Sequence, residues 1–142
     1  MITIPAEALA GILAHGEADF PHEACGLLVG RDAADGTRRI EAARPLPNVR
    51  EEEARHHRFL IAPADLAREE RRIRGQGREI VGFYHSHPDH PAIPSRHDLR
   101  LAWPEYSYVV VAVHAGRAVE ARSWRLSADR ARFEPEELVE GS

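Results

Sequence analysis

The chain has 142 residues, of which 43% are hydrophobic and 30% charged, and its formal net charge is -4. This length suits one domain with a buried core and is too short for two, so residues 1–142 are expected to form a single domain. The basic residues are scattered among acidic ones, which argues against nucleic acid as a partner. No stretch is long and apolar enough to span a membrane and no secretory signal is visible, so we expect no membrane association and a cytoplasmic location.

The first predicted elements are a helix and a buried strand. Residues 5–15 carry leucine and isoleucine at helical spacing, with Pro5 in the first turn and Gly16 as the expected stop. Residues 26–29 form a short apolar run that predicts a strand. Further strands are predicted over 38–46 and 57–62.

The second half of the chain predicts two helices and two strong strands. A charged helix over 64–74 is expected to end before Gly75. Residues 79–87 are apolar and aromatic until they turn polar, and a short helix over 96–103 and a central, β-branched strand over 106–113 follow. Weaker strands or turns fill the rest. The order of elements predicts an α/β or α+β sandwich with a mixed or antiparallel central sheet flanked by helices.

The polar end of the 79–87 strand predicts a metal site. Side chains alternate along a strand, so His85 and His87 project from one face and both imidazoles can reach one ion. A catalytic zinc site uses three protein ligands of this kind and leaves one position to water. Asp98 is the expected third ligand, because a proline-rich loop can bring the next helix back to the strand end.

Two further side chains complete the predicted chemistry. Water activated by a metal still needs a base, and Glu23, just before the 26–29 strand, can accept that proton and pass it to a leaving amine. Ser95 is predicted to donate a hydrogen bond to the developing oxyanion.

Each of these residues also has an ordinary structural interpretation. Ser95 and Asp98 match a helix capping box, Glu23 could be a solvated charge, and an isolated His-X-His is commonly a surface feature. Their combination at the end of one apolar strand favours the metal site.

The remaining polar groups near the motif are expected to have structural roles. Cys25, the one cysteine, cannot form an internal disulfide and is predicted to be a small buried residue, and Ser86 should point away from the metal face. His90 and His97 lie in the motif loop but are not expected to bind metal, and His56 and His57, which precede a predicted strand, are expected to be exposed.

The pattern resembles the JAMM (MPN+) motif of zinc metallopeptidases. The resemblance rests on Glu23, on His85-Ser86-His87-Pro88, and on Ser95 and Asp98 at their spacing, with similar flanking sequence at 23–30, 58–61 and 80–84. It implies an MPN, cytidine-deaminase-like sandwich with Zn²⁺ held by His85, His87 and Asp98. It also implies that Glu23 is the general acid and base, and that Ser95 supports the oxyanion.

The resemblance also implies a substrate class. Members of the family commonly cleave the bond after the C-terminal tail of ubiquitin or a ubiquitin-like protein, and an extended Gly-Gly tail can add to a sheet edge. The compact chain resembles bacterial peptidases that release cysteine from a ubiquitin-like sulfur-carrier protein. Two alternatives stay open: an isopeptidase that removes a ubiquitin-like modifier from lysine, and a non-catalytic MPN scaffold.

Overall fold

The computed structural model describes residues 1–48 and 63–141. Three predicted features lie outside the described residues: the strand over 57–62, the two histidines at 56 and 57, and the family-like segment at 58–61. Strands and helices follow one another in the order β1 (Ile2–Pro5), α1 (Ala6–Asp19), β2 (Cys25–Asp32), β3 (Arg38–Leu46), α2 (Pro63–Ile73), β4 (Glu79–Pro88), α3 (Arg96–Leu101), β5 (Ser107–His114), β6 (Arg117–Leu126), β7 (Phe133–Glu136) and β8 (Leu138–Gly141).

The strands form one mixed sheet in the order β7-β6-β5-β4-β2-β3-β1-β8. The β4–β5, β1–β3 and β1–β8 pairs are parallel, and the other four pairs are antiparallel. Helix α1 packs on this sheet, and α2 contacts β4. The predicted mixed sheet flanked by helices is therefore confirmed.

The strand β5 lies at the centre of the apolar core, as its β-branched sequence predicts. It is hydrogen-bonded to β4 on one side and β6 on the other, and every residue from Ser107 to Val113 is buried. Since β4 is paired on both sides over Gly82–His85, it is also held in the sheet interior. The two predicted histidine ligands thus project from a strand with little freedom to move.

The prediction that Gly16 ends the first helix is wrong, since α1 continues to Asp19. Gly16 is buried against the sheet, where an added Cβ atom would lie 3.1 Å from Val113 Cγ2 and 3.3 Å from Ser86 Cβ. The glycine lets the helix approach the sheet closely, and this tertiary contact outweighs its poor helix propensity. Pro5 is likewise the last residue of β1 and the N-cap of α1, not part of its first turn.

Other predicted bounds shift by a few residues. The strand predicted over 26–29 extends over Cys25–Asp32 because it pairs on both sides with β3 and β4. The helix predicted over 96–103 ends at Leu101, and the one predicted over 64–74 is Pro63–Ile73. Over the described ranges, no helix combines the length and apolar character that a membrane crossing requires.

Candidate metal centre

The two histidines of β4 lie side by side on one face of the sheet. Their Nε2 atoms are 3.1 Å apart, and both residues are buried. Cys25 of β2 pairs with His85, and Ala112 of β5 pairs with His87, so the neighbouring strands fix both backbone positions. The period-two alternation of a strand brings these side chains together, as the sequence predicts.

Asp98 reaches the same point from the first turn of α3. Its Oδ2 atom lies 3.1 Å from His85 Nε2 and 3.3 Å from His87 Nε2. The Ser95 N–H donates to the same Oδ2 atom at 2.8 Å, and the Asp98 N–H donates to Ser95 Oγ at 3.1 Å. The capping box is therefore present, and it also aims the Asp98 carboxylate at the histidines. The structural and the chemical interpretations of these residues are compatible.

The spacing of the three atoms fits a tetrahedral metal ion. Ligand atoms about 2.0–2.1 Å from a tetrahedral zinc are separated by roughly 3.3 Å, and the three observed separations are 3.1, 3.1 and 3.3 Å. His87 Nδ1 lies 3.0 Å from the Pro91 carbonyl oxygen, which can only accept, so Nδ1 carries a proton, and whenever the ring is neutral Nε2 presents a lone pair. The Nε2 lone pair would repel the negatively charged Asp98 Oδ2 atom 3.3 Å away unless a cation, either a proton or a metal ion, lay between them.

The pKa shifts at this site have simple causes. Burial lowers the pKa of His85 and outweighs the opposing attraction of Asp98. Burial also opposes protonation of His87, but its hydrogen bond to Asp98 prevails and raises its pKa. Burial would raise the pKa of Asp98, yet the two imidazoles hold it well below its ordinary value. The site thus offers an ionised carboxylate and a neutral His85, which are the protonation states that metal binding needs.

Glu23 lies beside the histidines on the approach to β2. It is 2% exposed, and one of its carboxylate oxygens lies within 4.8 Å of a ring nitrogen of His85 and of one of His87. Its backbone carbonyl accepts a hydrogen bond from Asn48 Nδ2 at 3.0 Å. Glu23 is therefore close to the histidines, while Asp98 is the carboxylate within 3.1 to 3.3 Å of both.

A cavity of about 280 Å³ opens next to this cluster. Glu23, His87, Ile93 and Ser95 are among the residues that line it. The Ser95 hydroxyl accepts from Asp98 N–H, so its own proton can be donated to a group in the cavity. The cavity gives a small extended ligand access to both Glu23 and Ser95.

The other polar residues near the motif fall outside the metal cluster. Among the described residues, the group of possible ligand atoms within 4.8 Å of one another contains Glu23, His85 and His87. Asp98 contacts both histidines without being part of that group, and Cys25, His90 and His97 are also not in it. Cys25 is buried near the carbonyl oxygens of Leu46 and Pro47, and burial raises the pKa of its thiol to about 12. The prediction that Cys25 is a small buried residue is confirmed.

Two supporting contacts were not predicted from the sequence. The Pro91 carbonyl orients His87, and the Asn48 side chain holds the backbone of Glu23. Every residue carries a carbonyl group, and Asn48 is 25 positions from Glu23, so no local pattern indicates either contact.

Comparison with known proteins is consistent with this geometry. The family described as prokaryotic homologs of the JAB domain matches residues 5–127. The chain is 34% identical to the desampylase of Haloferax volcanii over 77% of this chain and 78% of that protein. It is 31% identical to the CysO-cysteine peptidase of Mycobacterium tuberculosis, over 99% of this chain and 92% of that protein. A probable TtuB-protein conjugate cleaving protease of Thermus thermophilus is 30% identical, over 83% and 74% of the two chains.

The fold has a counterpart among solved structures. A JAB1/MPN domain protein from Archaeoglobus fulgidus superposes with a TM-score of 0.62 at 20% identity, covering 99% of both chains. The predicted MPN sandwich is thus confirmed as the fold.

Proposed function

Because this chain belongs to the prokaryotic homologues of the JAB domain, we propose that it is a zinc-dependent peptidase. Its substrate would be a ubiquitin-like sulfur-carrier protein, cleaved at the amide bond after a C-terminal Gly-Gly tail. His85, His87 and Asp98 would hold Zn²⁺, Glu23 would be the general acid and base, and Ser95 would support the oxyanion.

One observation carries this proposal. The Nε2 atoms of His85 and His87 and the Oδ2 atom of Asp98 meet within 3.1 to 3.3 Å, and the buried Glu23 carboxylate lies beside them. Three protein ligands with a neighbouring carboxylate match a catalytic zinc site better than a closed structural one. Glu23 is 2% exposed, and a buried ionisable carboxylate beside candidate metal ligands is typical of functional sites.

The side chains would divide the chemistry as follows. A bound zinc ion would supply Lewis acidity to the scissile carbonyl and lower the pKa of water. Glu23 would take a proton from the attacking water as the new C–O bond forms, and would return it to the amine nitrogen as the C–N bond breaks. Ser95 would donate its hydroxyl proton as a hydrogen bond to the carbonyl oxygen, where negative charge develops.

The surroundings favour a narrow, extended substrate. The cavity of about 280 Å³ is small, and its lining consists of Glu23, His87, Pro88, His90, Pro91, Ile93 and Ser95. Proline side chains restrict the conformations of the surrounding loop. A tail of two glycines has no side chains to exclude, so it fits such a passage, and main-chain hydrogen bonds could then supply its affinity.

The test compares two leaving groups on one carrier. The zinc-loaded chain would be incubated with a ubiquitin-like carrier protein extended beyond Gly-Gly by one cysteine, and with the same carrier joined to a lysine side chain by an isopeptide bond. Mass spectrometry would follow release. Faster cleavage of the cysteine adduct is the expected result, and no release from either adduct by zinc-loaded protein would overturn the proposal.

The second candidate is a deconjugating isopeptidase, and the name of one relative favours it. The Thermus thermophilus protein is a probable TtuB-protein conjugate cleaving protease. The same catalytic residues would serve both reactions, because only the leaving amine differs. Preferential cleavage of the lysine adduct in the same assay would assign this chain to the second candidate, and absence of zinc from the purified protein would favour a scaffold.

A further inference from the structure

Ser86 lies between the two histidines of β4 but faces the opposite side of the sheet. It is 1% exposed, and its Cβ atom lies 3.3 Å from where a Cβ atom at Gly16 of α1 would be. The reaction assigned to the metal centre does not use this hydroxyl. The Ser86 hydroxyl nevertheless accepts a hydrogen bond from the N–H of Ala24, the residue that directly follows Glu23.

The ladder between β2 and β4 changes at this point. Regular pairing reaches Cys25 opposite His85, which would place Ala24 opposite Ser86 as the next pair. The Ser86 N–H donates to the Ala24 carbonyl at 3.0 Å, as an antiparallel ladder requires. The return bond differs, because the Ala24 N–H donates at 2.8 Å to the Ser86 side-chain Oγ atom, where a regular ladder would use the Ser86 carbonyl.

This substitution of a side-chain acceptor has a geometric consequence. The Ser86 side chain projects from the face opposite the histidines, so the bond to its hydroxyl turns the Ala24 N–H towards that face and away from the Ser86 carbonyl. The next residue back, Glu23, would face His87 in a continued ladder, with its side chain on the histidine side of the sheet. Regular pairing between β2 and β4 ends at Cys25 and His85, and Glu23 and His87 both line the cavity next to the cluster.

We propose that Ser86 is a positioning residue for Glu23. Its hydroxyl holds the backbone at Ala24, just before β2, so that the Glu23 carboxylate lies beside the metal ligands with room for a water molecule. The role of Glu23 in this inference rests on the proposed function, whereas the hydrogen-bond geometry around Ala24 does not. The same peptide group is also held by Asn48, whose Nδ2 donates to the Glu23 carbonyl. The two bonds fix the peptide group between Glu23 and Ala24, directly after the residue that would transfer the proton.

The first test measures the geometry without using activity. Hydrogen exchange of the Ala24 amide would be followed by NMR in the purified full-length chain and in Ser86→Ala. The variant should exchange at this amide at least tenfold faster, while the amides of Val110 and Val111 in the central strand β5 keep their protection. Unchanged protection at Ala24 would overturn the proposal.

The second test links the geometry to Glu23. With the cysteine-extended carrier as probe, Ser86→Ala should lower turnover at least tenfold while zinc content and the visible spectrum of the cobalt-substituted protein stay unchanged. Ser86→Thr, which keeps the hydroxyl, should restore most of the activity. Ser123→Ala is the matched control, because Ser123 is also 1% exposed and its hydroxyl bonds to Glu136 away from the cluster.

A double-mutant cycle separates positioning of Glu23 from general damage. If Ser86 acts through Glu23, the Ser86→Ala change should have no further effect on the residual rate of a Glu23→Gln variant. An equal loss in both backgrounds, loss of zinc in Ser86→Ala, or full turnover in Ser86→Ala would each overturn the inference. An inactive wild-type protein with intact zinc would instead contradict the proposed function, and the exchange test would still decide the geometry.

Discussion

Asp98 Oδ2 lies 3.1 Å from His85 Nε2, although 13 positions separate the two residues in the chain. The aspartate is held there by the N-cap of α3, where Ser95 both donates to and accepts from it. The capping box that begins α3 thus also orients a candidate metal ligand. The roles assigned to the individual residues can be separated by substitution.

Replacing Glu23 by glutamine should leave zinc bound and remove most turnover. The side chain keeps its size but can no longer accept a proton, and general acid and base catalysis contributes on the order of 10² to 10⁴ in rate. Zinc analysis and turnover on the cysteine-extended carrier would check this. Glu69→Gln is the matched control: Glu69 is also buried but pairs with Arg44 and Arg72, so turnover should persist. Loss of zinc from Glu23→Gln would show that the roles of the two carboxylates are wrongly assigned.

Replacing His87 by alanine should remove both zinc and activity while the fold survives. The apolar core around β5 does not include this side chain, so the far-ultraviolet circular dichroism spectrum should remain that of the wild type. His114→Ala is the control, because His114 is an exposed histidine at the end of β5. Unfolding of His87→Ala would indicate that the bound ion is structural.

Replacing Ser95 by alanine tests its two roles together. Loss of the N-cap should cost about 1 kcal/mol of stability, and loss of the oxyanion donor should lower kcat by about 10². Thermal unfolding and steady-state kinetics on zinc-saturated protein would measure each effect. Ser95→Thr keeps both functions of the hydroxyl and should resemble the wild type. A loss of stability in Ser95→Ala with kcat unchanged would mean that Ser95 acts only as the N-cap of α3.

Cys25 should resist alkylation in the native protein. Burial raises the pKa of the thiol from 9.0 to about 12, so only about 10⁻⁴ of it is thiolate at pH 8. Because the folded pKa is the higher one, the associated stability is complete below pH 9.0 and is lost as the pH rises towards about 12. Mass spectrometry after iodoacetamide treatment at pH 8 should show modification only when the chain is unfolded. Rapid modification of folded protein would contradict this burial.

Two glycine substitutions should have opposite effects on stability. A Cβ atom at Gly82 would lie 2.2 Å from the Ser107 carbonyl oxygen, so Gly82→Ala should force β4 and β5 apart and cost about 3 kcal/mol or more. Gly11 on α1 has no such neighbour within 4 Å, and Gly11→Ala should stabilise the protein by about 1 kcal/mol through higher helix propensity. Chemical denaturation would measure both, and a tolerated Gly82→Ala would contradict the close packing of β4 on β5.

The sequence by itself determined the elements whose signal is local. Strand alternation places His85 and His87 on one face, the β-branched run indicates the central strand β5, and the serine and aspartate three positions apart predict the capping box. These features depend on the order of neighbouring residues and on backbone geometry, so they can be read without knowing the fold. The ligand roles of these side chains, the general base role of Glu23 and the cytoplasmic location stay predictions.

Only the tertiary structure decided how distant segments meet. Gly16 lies within a helix because Ser86 and Val113 approach it from the sheet, a contact that outweighs the local stop signal. Glu23 reaches the histidines because β2 pairs with β4, and the Ala24 N–H donates to the Ser86 hydroxyl, which is 62 positions away in the chain. Packing and pairing between segments so far apart depend on the whole sheet, and no local pattern encodes them.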